Sequence, residues 1–455
     1  MKLPDTTDTI AAQATPPGAG AIAVIRLSGP AAFSIAAAFL SPPPARPAHR
    51  TAYLLAAKDG ARLVDRVIAL FFRGPASYTG QDTVEISCHG SPYIIRTILN
   101  VAIKHGARVA GPGEFTLRAF LNGKLDLAQA EAVGELIASS SAGAHRAAIT
   151  QTEGAVSREV RDIRSELVAL LAEIEARLDD SYEEIPALEK RAFARRAAGS
   201  RKKTAALASG FEAGRGIRDG MKVVITGAPN SGKSSLLNSL LGYDRALVSR
   251  EAGTTRDTLE AELDIDGFSV RFIDTAGLNA RPATELERAG IRRAAAALAG
   301  ADTVLLVKDA SIKETASDLR AEKETSASAA GAELIRVFNK ADLPARRRAA
   351  AGAETVSCRT GKGLARLRAR LVARQKRVFA EGAQAVVTSA RHFEALSEAS
   401  GELSSLETVM RRNAPELELA AEHLRGALGA LAAILGETAP EEVLAGIFSN
   451  FCVGK

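Results

Sequence analysis

The sequence predicts a multidomain protein of α+β and α/β class: an N-terminal α+β domain, a helical domain, and a strand-and-loop α/β domain inserted into the helical one. Three textures carry this reading. Short apolar runs punctuated by Pro and Gly fill residues 1–119; Ala, Leu, Glu and Arg dominate 120–219 and return over 379–455; strand-like runs alternate with loops over 220–378. A chain of 455 residues accommodates about two to four such domains.

Within the first segment, Ala21 to Leu27, Val67 to Phe72 and Val84 to Ser87 read as strands, and Pro42, Pro43 and Pro44 as a surface loop. In the helical segments, Val160, Ile163, Leu167, Leu170, Ile174 and Leu178 recur at steps of three and four, one apolar stripe on a long helix. Phe393, Leu396, Leu403, Leu406 and Met410 form a second such face, and no internal repeat is evident.

Composition narrows the class. Apolar residues at 46% and charged residues at 25% are those of an ordinary soluble globular protein. A net charge of +6 is compatible with a nucleic-acid partner without proving one. No run approaches the ~20 apolar residues of a membrane span, and the N-terminus lacks the basic and apolar regions of a signal peptide, so no membrane partner is expected. The three cysteines, Cys88, Cys358 and Cys452, have no CxxC spacing, which argues against disulfides or zinc and for a reducing cytoplasm. His89 and the other histidines show no metal-ligand spacing and read as structural; Cys88 and Cys358 read as packing or loop residues.

The inserted segment carries the chemistry. The β-branched run Lys222 to Thr226 leads into Gly227-Ala-Pro-Asn230-Ser231-Gly232-Lys233-Ser234-Ser235, a GxxxxGK[ST] loop between a strand and a helix. Its glycines let backbone N–H groups close around phosphates, and the helix starting near Lys233 adds its positive N-terminal dipole. Lys233 suits the β- and γ-phosphates, and the Ser234 hydroxyl suits Mg²⁺.

Three further motifs follow in the order a GTPase needs. Gly253-Thr254-Thr255-Arg-Asp offers the Thr255 hydroxyl as second protein ligand of Mg²⁺. After a strand from Phe268 to Ile273 comes Asp274-Thr275-Ala276-Gly277, where the carboxylate holds the metal through its waters and Gly277 N–H faces the γ-phosphate. After a strand from Leu334 to Phe338 comes Asn339-Lys340-Ala341-Asp342. The Asp342 carboxylate can accept from N1–H and the exocyclic amine of guanine, a pattern adenine cannot match. Ser357-Cys358-Arg359 stands where a backbone N–H would read guanine O6. Hydrolysis needs another group: Leu278 occupies the place of the usual water-orienting glutamine. Glu285 and Glu287 follow it, and Glu285 reads as a solvated helix charge.

Outside these motifs stand Asp8 to Gly18, Pro112 to Asn122, Lys124 to Glu131 and the terminal Phe451-Cys-Val-Gly-Lys455. Together with them the chain resembles the MnmE (TrmE) family of tRNA modification GTPases over essentially its full length. The resemblance implies a folate-binding and dimerising N-terminal domain, a helical domain and an inserted Ras-like P-loop G domain. It implies a homodimer that joins an MnmG-like flavoprotein in a heterotetramer and acts on tRNA. There the two proteins add an aminomethyl or carboxymethylaminomethyl group at C5 of the wobble uridine. FAD enters only through the partner, and the one-carbon unit comes from 5-formyl- or methylene-tetrahydrofolate.

Residue by residue, the resemblance places K⁺ at Asn230, Ser249, Glu251 and Thr254, with backbone carbonyls sharing the ligation. That cation supplies the charge an arginine finger would. Arg250 and Ala252 complete the nucleotide-binding loop, and Glu287 positions the attacking water, although Asn279 to Thr284 is one residue longer than expected. Folate contacts carry over to Arg26, Glu85, Lys124 and Lys455: the cations suit an anionic glutamyl tail, and Glu85 the donor edge of the pterin. Cys452 reads either as a reactive thiol, toward uridine or the one-carbon unit, or as a small buried hydrophobe. A ribosome-assembly GTPase or a purely regulatory switch would share the G motifs, but the former would not explain the terminal signatures.

Overall fold

The computed structural model describes residues 6–178, 186–242, 260–274, 296–329, 331–380 and 385–454. The chain divides into two compact units, each discontinuous in sequence: Met1–Gly134 with Thr152–Ala197 and Glu402–Lys455, and Glu135–Gln151 with Ala198–Gly401. Among the described residues no helix is long and apolar enough to cross a membrane.

In the first unit seven strands form one sheet: β1 (Ile10–Gln13), β2 (Ile22–Ser28), β3 (Leu40–Ser41), β4 (Ala52–Asp59), β5 (Arg62–Phe72), β6 (Thr83–His89) and β7 (Arg108–Val109), in the order β3-β4-β5-β6-β2-β1-β7. Side chains alternate between faces with period two. Ala23, Ile25 and Leu27 of β2 join Val84, Ile86 and Cys88 of β6 in a core with residues of the helices Ala32–Phe39 and Pro92–Lys104. Arg26 and Glu85 therefore fall on the opposite face, and the antiparallel β2–β6 register sets them directly across from each other. β5 is longer than the apolar run suggests: its first half, Arg62 to Arg66, is largely polar and pairs with β4 across a turn at Gly60, whose φ is +62°.

The long helix read from the apolar stripe spans Ala155–Leu178 and buries Val160, Ile163, Leu167, Leu170 and Ile174, while Leu178 is only partly buried. It packs on the helix Leu417–Leu435, whose inner face is rich in alanine (Ala420, Ala421, Ala427, Ala430), so the two backbones approach closely.

The second unit is a six-stranded sheet: β8 (Met221–Gly227), β9 (Glu260–Ile265), β10 (Phe268–Asp274), β11 (Thr303–Asp309), β12 (Glu333–Asn339) and β13 (Glu354–Thr355), ordered β13-β12-β11-β8-β10-β9. β8 is parallel to both neighbours, β10 and β11, and only β9 runs antiparallel, folded back through Asp266 and Gly267 at positive φ. A chain that leaves β8 toward one side and later crosses to the other opens a crevice at the carboxyl ends of the strands. The helix Lys233–Gly242 buries Leu236, Leu237 and Leu240 in the core with Val223, Ile225, Val270, Phe272, Leu305 and Val307. The helix Ala390–Met410, whose residues from Glu402 on belong to the first unit, buries Leu396, Leu403, Leu406 and Met410 as its stripe predicts, but Phe393 is 36% exposed and stacks on Phe211 at 4.6 Å between ring centroids.

Leu167→Ala should cost about 2–5 kcal/mol, because its side chain is fully buried in the helix pair. Val168→Ala, at a 52% exposed position one residue on, should stay within about 0.5 kcal/mol. Denaturant unfolding of the two variants measures the difference.

Candidate functional site

Gly227, Asp309 and Asn339 end β8, β11 and β12 at one edge of the second unit's sheet, and Asp274 ends β10 at the same edge. The loop from Gly227 to Lys233 is built from conformations few residues accept. Gly227 has φ +143° and Gly232 φ +94°; a Cβ on them would lie 2.2 Å from Val307 O and 2.2 Å from Asn339 Nδ2. Between them the exposed Asn230 adopts φ +61°, in the left-handed region asparagine tolerates better than most residues. Lys233 Nζ donates to Gly227 O (3.0 Å) and Ala228 O (2.9 Å), so the ammonium lies over the loop. Ser234 and Ser235 are exposed on the first turn of the following helix, while Ser231 is buried, its Oγ without a protein partner among the described residues.

Asn339 joins this loop to a second one. Its buried amide donates from Nδ2 to Ser231 O (3.2 Å), and its Oδ1 accepts from Cys358 N (3.3 Å) and Cys358 Sγ (3.2 Å). The Cys358 N–H is thus engaged with Asn339, and burial pushes the Cys358 thiol up. Asp342 accepts from Ser357 Oγ (2.6 Å) and Arg359 Nε (2.8 Å). The Ser357 hydrogen bond, helped by Arg359, holds the Asp342 carboxyl below the usual carboxylate range, so it is an ionised acceptor at neutral pH. Lys340, at φ +62°, donates to Asn230 O (3.1 Å) and Asp309 Oδ2 (2.6 Å). Ala341 N donates to Val356 O (3.1 Å), closing the turn that carries Asp342.

In the first unit a second constellation forms around Arg26. Its guanidinium pairs with Glu85 (Nη2 to Oε1, 2.7 Å) and lies 5.6 Å from the ring centroids of both Tyr78 and Phe115. Tyr78 is partly buried, which pushes its phenol up, and its OH shares a hydrogen bond with Thr116 Oγ1 (2.8 Å). The C-terminal tail reaches the same place: Val453 bridges Pro112, Gly113 N donates to Cys452 O (3.3 Å), and Arg26 Nη1 donates to Gly454 O (3.4 Å). Gly454 has φ +100°, and a Cβ there would meet Gln13 O at 2.2 Å. Phe451 anchors the tail, its ring against Gly134 and 5.6 Å from that of Phe448. Cys452 is exposed, which removes the buried-hydrophobe reading. Cys88 is a core residue whose thiol burial pushes up to about 11. Lys124 Nζ donates to Pro75 O (3.0 Å), on the loop that also carries Tyr78.

Residues 9–124 match the family described as GTP-binding protein TrmE N-terminus, and residues 127–452 the family described as MnmE helical domain. The chain is 39% identical to the tRNA modification GTPase MnmE of Chlorobium phaeobacteroides, over 98% of this chain and 97% of that one. It is 42% identical to the protein of that name from Azoarcus sp. (100% and 99%) and 41% identical to that of Thiobacillus denitrificans (100% and 99%). The chain belongs to the MnmE (TrmE) family of tRNA modification GTPases.

For this MnmE-family chain, the structure brings Asn230, Ser231, Gly232, Lys233, Asn339, Lys340, Asp342, Ser357, Cys358 and Arg359 into linked loops at one sheet edge, and Arg26 and Glu85 into one ion pair. Arg26 and Glu85 thus face each other across the β2–β6 pair. Ser249, Arg250, Glu251, Ala252, Gly253, Thr254, Thr255, Thr275, Ala276, Gly277, Leu278, Glu285, Glu287 and Lys455 lie outside the described residues. Tyr78, Phe115 and Asp309 escaped the sequence reading. Phe115 sits inside the Pro112 to Asn122 signature, whereas Tyr78 lies in a loop and Asp309 at the end of a strand with no motif to mark it.

Asn339→Ala should lower guanine-nucleotide affinity by ~10-fold or more, because Ser231 O and Cys358 N both lose a buried partner. Titration with a fluorescent guanine nucleotide, beside an unchanged far-UV circular dichroism spectrum, checks it.

Proposed function

We propose that the chain hydrolyses GTP to GDP and phosphate in support of tRNA wobble-uridine modification, working as a homodimer with an MnmG-like flavoprotein in the cytoplasm. The observation that carries the GTP half is the Asn339 tie between the glycine loop Gly227 to Lys233 and a loop bearing an ionised Asp342. A triphosphate would suit that loop: Gly227 and Gly232 leave no room for a Cβ beside Val307 O and Asn339, and the backbone N–H groups of such glycine loops close around phosphates. Lys233 would neutralise the β- and γ-phosphates, and Asp342 would select guanine. Ser234 and Thr255 would ligate Mg²⁺, with Asp274 behind its waters. Asn230 with Ser249, Glu251 and Thr254 would hold K⁺, which supplies positive charge where no arginine finger stands. Glu287 would position the attacking water, and Arg250, Ala252, Gly253, Thr275, Ala276 and Gly277 would line the phosphates.

The tail constellation suits a tetrahydrofolate derivative: a cation over two aromatic rings, a carboxylate beside it, and backbone acceptors from the C-terminus. Arg26, Lys124 and Lys455 would hold its anionic tail and Glu85 its donor edge. When bound, that group supplies the one-carbon unit for the aminomethyl or carboxymethylaminomethyl substituent, with FAD held by the partner. Cys452, exposed beside this group of residues, would take part in the chemistry at the uridine.

Asp342→Asn should turn nucleotide preference from GTP toward XTP, since an amide can donate to the xanthine carbonyl. Competition binding with the two nucleotides reads this directly, and unchanged GTP preference would remove Asp342 as base reader. Deleting Cys452 to Lys455 should leave GTP turnover near normal while abolishing wobble modification. Nucleoside analysis of tRNA from cells carrying the truncation decides it; normal modification there, and in a strain lacking the whole chain, would leave a regulatory or ribosome-assembly GTPase.

A further inference from the structure

Asp309 ends β11 one strand away from the phosphate loop, and no base- or phosphate-reading motif includes it. Its side chain is only 8% exposed, and both of its oxygens are held. Oδ1 accepts from Ser311 N (2.9 Å) and Ser311 Oγ (2.7 Å); Oδ2 accepts from Lys340 Nζ (2.6 Å). The same ammonium donates to Asn230 O at 3.1 Å, the carbonyl of the left-handed residue at the apex of the phosphate loop. Asp309 is itself fixed by its backbone. Its carbonyl accepts from Arg347 Nε (2.6 Å), and Arg347 Nη2 pairs with Asp318 Oδ2 (3.0 Å), where Asp318 and Thr315 form the capping box of the helix Ala316–Ser328. Arg347 and Asp318 are 9% and 3% exposed, so this is a buried, directional brace rather than a surface pair.

Burial alone would raise the Asp309 carboxyl, but the hydrogen bonds from Lys340 and Ser311 outweigh it and hold the group below the usual range. An aspartate in this position keeps the lysine ammonium aimed. Without it, Lys340 could swing into solvent, and Asn230 would lose the donor that fixes its carbonyl.

We infer that Asp309 is a positioning residue for the nucleotide reaction: it clamps Lys340 onto the Asn230 carbonyl and so sets the phosphate loop in its binding conformation. The inference rests on the reading of this loop as the GTP site. Lys340 is the transmitting group, and Arg347 with Asp318 keeps the clamp from rotating.

The test is a double-mutant cycle on the full chain, with Asp309→Asn, Lys340→Met and the pair, read by fluorescent-nucleotide dissociation constants and steady-state turnover. Asp309→Asn alone should weaken GTP binding ~10-fold, raising KM more than it lowers kcat. In the Lys340→Met background the same change should have almost no further effect, because the group it positions is gone. Ser311→Ala, which spares the Lys340 contact, should cost less than Asp309→Asn. Additive losses in the two backgrounds would overturn the inference and make Asp309 a stabilising residue only. Unchanged affinity in Asp309→Asn would overturn it as well. Failure of the unmodified chain to bind GTP is the distinct outcome that removes the underlying site reading.

Discussion

The phosphate loop leaves β8 through Gly227 and re-enters a helix through Gly232, and both glycines face atoms of other strands at distances no side chain could occupy. Everything at that end of the second unit follows from this close approach. Because Gly232 has no Cβ, Asn339 can lie against it, and one buried amide satisfies a carbonyl of the phosphate loop and an N–H of the 357–359 loop together. A larger residue at either glycine would separate the two halves of the nucleotide site. The parallel register of β8, β11 and β12 supplies the remaining condition, since it brings Gly227, Asp309 and Asn339 to the same edge. Asn339 then reaches the phosphate loop directly, and Asp309 reaches it through Lys340, from strands far from it in sequence.

The first unit meets a similar demand with antiparallel strands. A sheet with one face covered by helices leaves its other face for polar work, and the β2–β6 register decides which residues share it. A slip of one residue would move Arg26 into the core and Leu27 out. The guanidinium instead lies between Tyr78 and Phe115, from a loop and a helix far apart in the chain, and the C-terminal tail closes on it. Positive φ at Gly113 and Gly454 allows that closure: a Cβ on Gly113 would meet Phe448 O at 2.5 Å, and one on Gly454 would meet Gln13 O at 2.2 Å. Gly454 in the terminal signature is thus a packing requirement in its own right.

Strands with local chemistry were legible, and those without it were not. β8, β10 and β12 announce themselves because each ends in a motif, and their observed limits differ from the apolar runs by a residue or so. β11 does not, although it is fully buried, since it ends in Lys308 and Asp309 and no motif follows it. Lys308 is inside because Glu314 and Glu322 pair with it at 3.1 and 2.6 Å, a compensation no periodicity reports. The first half of β5 was missed for the converse reason: its residues pair with β4 while remaining largely solvated. Phe393 was counted with a buried stripe and is instead a partly exposed ring stacked on Phe211.

By itself the sequence determined the order of the nucleotide motifs and the buried stripe of the long helix. Each of these depends on spacing within a few residues, where backbone geometry is nearly fixed by local rules. Only the tertiary structure decided that Arg26 and Glu85 are partners, that the tail's Gly454 carbonyl accepts from that arginine, that Cys452 is exposed, and that Asp309 holds Lys340. These relations join residues tens to hundreds of positions apart, and they are set by strand register and chain closure, which depend on the packing of the whole unit rather than on any segment of it.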